Sequence, residues 1–150
     1  SSTPTRSTLL MEGHDKPPVG LRLWPQTYAV ARLLAVPDPL PRLSTADAPV
    51  ALTVGHDEVS LIAPEEVVRG LGPLVERASE GWRAFTIEAV LPLETVGLLA
   101  VASRALADVS VPVMVFASHD TDHFLVPEGL LGRALAALNQ AGLERFLSER

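Results

Sequence analysis

PVALTVGHDEVSLIAPE, residues 49–65, and PVMVFASHDTDHFLVPE, residues 112–128, are the stretches on which the fold turns. Laid over each other at an offset of 63, they align without a gap. Pro, Val, His, Asp, Pro and Glu coincide at six of the seventeen positions, where chance would give about one. The positions between are mostly apolar in both copies. Each copy reads as two β-rich runs around a polar turn, which is a hairpin signature. In the first, Val50–Val54 and Val59–Ile62 flank Gly55-His56-Asp57-Glu58; in the second, Val113–Ala117 and Asp122–Val126 flank residues 118–121.

Outward from the hairpins, Tyr28–Leu34 and Trp82–Val90 carry strand-like runs. The stretch Ala35–Ala48, with Pro37, Pro39 and Pro41, offers no convincing helix. Pro64-Glu65-Glu66 opens a helical stretch, because proline at a first helical position with acids behind it suits the helix dipole. That stretch is broken at Gly70, Gly72 and Pro73 and is expected to resume as far as Gly81. Gly97–Asp108 is apolar at 98, 99, 101, 102, 105 and 106, and Glu128–Ala141 at 130, 131, 134, 135 and 138, both at helical spacing. Gly142 stops the latter. The second half therefore reads β-α-β-β-α, an α+β, ferredoxin-like layout. Residues 1–20, rich in Ser, Thr, Pro and Gly, are expected to be a flexible tail.

The five positions His119 to His123 hold two histidines and two aspartates and invite a catalytic or metal reading. The repeat argues against it. A metal site duplicated in full would repeat its ligands, yet Asp122 and His123 correspond to Val59 and Ser60. His56-Asp57 and His119-Asp120 occupy the same turn, and Asp is a good turn former. The cluster is expected to be a polar hairpin turn, with no catalytic residue and no metal. Asp122 survives this argument. In strand register it shares a face with Phe124 and Val126, where the first copy has Val59, Leu61 and Ala63. A carboxylate in place of an apolar residue there needs a partner or a ligand. The loop Leu91–Gly97 before the helix offers backbone N–H groups that attract anions, although such loops are common as simple connections.

Composition narrows the function classes. The chain has 150 residues, 47% hydrophobic and 20% charged, enough to bury a core. Its formal net charge is −6, and eleven of its twelve basic residues are arginines spread singly. No basic stripe follows a phosphate backbone, and aromatics are only 5%, so nucleic acid is a poor partner. No apolar run approaches the roughly 18 residues that span a bilayer, and the apolar island near the start is too short for a signal peptide. There are no cysteines, which removes disulfides, thiolate metal sites and a thiol nucleophile. A cytoplasmic location, no membrane partner and no cofactor are expected.

Taken in order, YAVARLL (28–34), APVALTVGHDEVSLIAPEE (48–66), GWRAFTIEAVLPLETVGLLA (81–100) and VMVFASHDTDHFLV (113–126) resemble the segments of bacterial tandem ACT-domain proteins. These are related to the ACT modules of aspartokinase and to CASTOR-type arginine sensors. The resemblance spans about residues 21–142. It implies two βαββαβ ACT modules side by side, residues 21–81 and 82–150, sharing an antiparallel sheet backed by helices, the first with a degenerate first helix. It also implies a non-enzymatic regulator that senses an amino acid between modules.

The ligand-binding residues it implies are Asp122, the loop residues Glu94, Thr95, Val96 and Gly97, and Ser118, Thr121 and Ser60. Asp122 would pair the ligand's ammonium, and N–H groups near Gly97 would hold its carboxylate. The family pattern has a tyrosine where His123 stands. The expected partners are a small molecule, a second copy of the chain as a homodimer, and a separate regulated protein. The alternative is a ferredoxin-like structural or dimerisation module without a small ligand.

Overall fold

The computed structural model describes residues 19–43, 47–89 and 97–145. In chain order they form β1 (Val19–Leu33), β2 (Ala51–Val54), β3 (Val59–Pro64), a short helix α1 (Glu65–Arg69), β4 (Val75–Ala89), helix α2 (Leu98–Asp108), β5 (Met114–Ala117), β6 (Asp122–Pro127), helix α3 (Leu131–Gln140) and a two-residue strand β7 (Glu144–Arg145). One sheet holds every strand in the order β2-β3-β1-β4-β6-β5, with β7 pairing in parallel to the start of β1. All other pairings are antiparallel. The result is a mixed α+β fold.

The two hairpins keep the offset of 63 to the residue. Strand bounds 51–54 and 59–64 become 114–117 and 122–127. The pairing Ala51↔Ile62 becomes Met114↔Leu125. The turn bond from Gly55 N to Glu58 O (2.8 Å) becomes one from Ser118 N to Thr121 O (2.9 Å). Each hairpin runs directly into a helical turn after its proline, Pro64 or Pro127. Turn chemistry and apolar alternation set the register of a hairpin, so copies that share both share the backbone.

β1 and β4 run the length of the sheet and join its halves. Val19–Leu23 pairs with the end of β4, and Thr27–Leu33 with its beginning. Three register shifts interrupt this ladder, the last between Arg32 and Leu33, where Glu76 is the extra residue of β4. Between Leu23 and Thr27, β1 carries Trp24-Pro25-Gln26 against one residue of β4, a place where a strand tolerates proline. Between Val30 and Tyr28, β4 has the extra residue, and Gly81 supplies the left-handed φ of 82°. Bulges bend strands and increase twist, so the sheet curls.

Three apolar clusters follow from strand alternation. Leu21, Leu23, Phe85, Ile87, Phe124 and Val126 face α2 and α3, with Phe85 and Phe124 stacked at 5.2 Å. Ala29, Ala31, Leu33, Leu61 and Ala63 face α1 through Val68. On the other, inner face, Trp24, Tyr28, Ala84 and Leu125 pack with Ile62 and Phe116. Burial raises the Tyr28 phenol's pKa far above its ordinary value, and its hydroxyl donates to Pro49 O at 2.7 Å.

Three expectations are corrected. The helix expected to resume up to Gly81 is strand, because β4 begins at Val75. Its Glu, Arg and Ala residues favour a helix, but pairing along β1 overrides that preference. Arg32 reinforces the pairing by bridging Glu76 at 2.8 Å and Glu58 at 3.0 Å. Secondly, the expected tail overlaps β1 at Val19 and Gly20, since β1 starts nine residues before Tyr28. The rest of that segment lies outside the described residues. Thirdly, the last helix opens with a tighter turn at Glu128–Leu130 before α3 begins.

Candidate functional site

The inner face carries a cavity of about 830 Å³. Arg22, Thr86, His123 and Phe116 form one cross-strand row through its floor, because Arg22 pairs with Thr86, Thr86 with His123, and His123 with Phe116. Side chains directly opposite on one face of a sheet lie within contact reach. Arg22 also pairs with Glu88 (Nε to Oε1, 2.8 Å) and lies 5.5 Å from the Trp24 ring centre, a cation–π arrangement.

A hydrogen-bonded chain crosses this floor. The Trp24 indole N–H donates to Thr86 Oγ1 at 2.8 Å, and Thr86 Oγ1 lies 2.8 Å from His123 Nδ1. His123 Nε2 lies 2.8 Å from Ser118 Oγ, which is 2.8 Å from Thr121 Oγ1. Thr86 has one proton to give and already accepts from Trp24, so every donor finds an acceptor when that proton goes to Nδ1 and the Nε2–H points at Ser118. The imidazole assigned in this way is neutral. Burial lowers the His123 pKa from 6.5, against an upward pull from the neighbouring Asp122 carboxylate. A protonated ring would turn Nδ1 into a donor and leave the Thr86 proton without its acceptor.

His123 is therefore a correction to the reading of the His119–His123 cluster. His119 and Asp120 do form an exposed turn, 2.7 Å apart, as His56 and Asp57 do at 3.6 Å in the first hairpin. His123 instead belongs to β6 and is buried at 6% exposure. Among the described residues, no group of three or more His, Cys, Asp or Glu is placed to hold a metal ion.

The expected site residues separate. Ser118 and Thr121 meet at the inner-face cavity. Ser60 lines a different one, of about 460 Å³. Asp122 lies on the helix-covered face, half-buried, paired in register with Ile87 near the end of β4. Among the described residues its carboxylate has no hydrogen-bond or ion-pair partner. Gly97, with φ 95°, caps α2, whose Val101 packs in the same cluster as Phe124 and Val126. Glu94, Thr95 and Val96 lie outside the described residues.

Sequence reasoning missed Arg22, Trp24, Thr86 and Glu88. The available signal was alternation: Leu21-Arg22-Leu23-Trp24 and Phe85-Thr86-Ile87-Glu88 each place a polar or amphipathic residue between apolar ones at period two.

An ACT-domain family model matches residues 77–140. Among solved structures, the chain is similar to a protein from Agobacterium tumefaciens, at 22% identity and a TM-score of 0.73, over 89% of this chain and 96% of that one. It is similar to a protein of unknown function from Vibrio cholerae at 20% identity and a TM-score of 0.65, over 83% and 90%. It also resembles the ligand-free regulatory subunit of aspartate kinase from Thermus thermophilus, at 17% identity and a TM-score of 0.59, over 81% and 96%. At these identities the likeness is one of fold. No curated protein matches the chain. The fold is ACT-like, and no helix among the described residues is long and apolar enough to cross a membrane.

Proposed function

We propose that the chain is a non-enzymatic regulatory module made of two ACT-like units, about residues 21–81 and 82–150, that binds an amino acid where the units meet. The observation that carries this reading is Asp122. It is a half-buried carboxylate without a described partner, on the helix-covered face, where the first hairpin places Val59. Leaving a charge in that setting is unfavourable unless something arrives to neutralise it. An amino acid's ammonium does so, and backbone N–H groups at the Gly97 end of α2 suit its carboxylate. The likeness to an aspartate kinase regulatory subunit and the ACT match support a regulatory role. Output then passes to a separate protein or through self-association.

The test is a melting-temperature screen of the twenty amino acids. A ligand at 100 times its Kd adds about 2.7 kcal/mol, so at least one amino acid should raise the melting temperature clearly. A uniform absence of shift at millimolar ligand defeats the proposal.

A further inference from the structure

β2 and β5 end the sheet on opposite sides, yet Ala51, Leu52, Phe116 and Ala117 all line the inner-face cavity. The bulged sheet curls far enough to bring its two edges to one gap. The strand registers show what the edges offer there. In an antiparallel pair, hydrogen-bonded and non-hydrogen-bonded positions alternate. Gly55 N bonds Glu58 O and Ser118 N bonds Thr121 O, so Thr53 and Ala51, and likewise Phe116 and Met114, occupy the bonded positions. Leu52 and Ala117 are the alternate ones. Each turns its N–H and C=O away from its partner strand, toward the open edge. Among the described residues neither finds a partner on that side.

Charge restricts what can fill the gap. The lining holds one cation, Arg22, two acids, Glu88 and Asp47, and a neutral His123. Arg22 meets Glu88 through Nε and Nη2, which leaves Nη1 without a partner among the described residues. A free anion is disfavoured by the net negative lining, whereas a molecule carrying both an ammonium and a carboxylate is matched by it. The volume of about 830 Å³ is ample for a ligand of several residues.

We propose that this cavity binds a short extended peptide of about two to four residues, laid as an added strand between β2 and β5. The edge groups of Leu52 and Ala117 bond its main chain, Arg22 takes its C-terminal carboxylate through the free Nη1, and Asp47 takes its N-terminal ammonium. Strand addition to free sheet edges is a general mode of peptide recognition. Each edge strand is four residues long, which sets the upper length. The site does not use Asp122, so this proposal and the amino-acid reading fail independently.

Isothermal titration with trialanine, its N-acetyl and C-amide forms, and free alanine provides the test. Trialanine should bind at least tenfold more tightly than alanine, and capping either end should weaken it about tenfold. Ala117→Pro removes one outward N–H at an exposed position without touching the ladder, and should weaken trialanine about three- to tenfold. Arg22→Gln should abolish the penalty for amidating the C-terminus, a readout that survives if the proline variant fails to fold. Alanine binding as tightly as trialanine would overturn the proposal. So would absence of trialanine binding at millimolar concentration, or sedimentation showing that a second copy of the chain fills the gap.

Discussion

The first hairpin, 51–64, and the second, 114–127, have one backbone and two different sets of side chains. Leu61 and Phe124, at equivalent positions, are both fully buried against helices. One and two positions before them the copies part: Ser60 becomes His123 and Val59 becomes Asp122. The positions that hold each hairpin in register are thus shared, and the carboxylate and imidazole on the strand after the turn belong to the second copy alone. Two chemically new side chains at adjacent positions point to opposite faces, one toward the helices and one into the inner cavity.

The largest effects should come where the copies agree. Phe124→Ala removes the ring stacked on Phe85 and should lower stability by about 3–5 kcal/mol, and Leu61→Ala by about 2–5 kcal/mol, in urea unfolding. A much smaller loss in either variant would mean that one hairpin is not part of a cooperative core.

Exchanging the residues where they differ sharpens the comparison. Val59→Asp puts an unpartnered carboxylate on the apolar face of the first hairpin and should destabilise by about 1–3 kcal/mol. The reverse change, Asp122→Val, should leave the empty protein as stable or slightly more so, because it removes a charge rather than a contact. Substantial destabilisation by Asp122→Val, read from the melting temperature, would show that the carboxylate is paired within the protein.

His123 gives the second hairpin a buried titrating group where the first has Ser60. Its folded pKa lies below 6.5 because of burial, so as pH falls through 6.5 the unfolded chain takes up a proton that the folded one refuses. Stability contributed by this group is therefore intact above about pH 6.5 and declines below it, by at most about 1.4 kcal/mol per pH unit, until the folded pKa is passed. His123→Gln should remove that slope from unfolding curves measured between pH 5 and 7. An unchanged slope would place the titrating group elsewhere.

The smallest effects belong to the turns. His56→Asn and His119→Asn, both at exposed positions, should each change stability by no more than about 0.5 kcal/mol.

The repeat and its register were legible because hairpin turns and period-two alternation are local signals, carried by residues such as His56-Asp57 and Leu61 that need no distant partner. The start of β4 was not. Glu76, Arg77 and Ala78 favour a helix locally, and only their pairing with β1, some 45 residues away in sequence, makes them strand. The inner cavity was hidden for the same reason. Arg22, Thr86 and His123 become neighbours only through two long-range strand pairings. His123 looked like part of the turn because it lies beside the turn in sequence; the pleat of β6 carries it to the buried face.

The central claim is tested most directly by titrating the amino acid that emerges from the melting screen into wild type and into Asp122→Asn. Asparagine keeps the shape and removes the charge. Binding should weaken by about 1.5–3 kcal/mol, or roughly 10- to 150-fold, while the empty variant melts at or slightly above the wild-type temperature. Unchanged affinity in an empty variant that melts lower would contradict the account, because Asp122 would then hold the fold together and not a ligand.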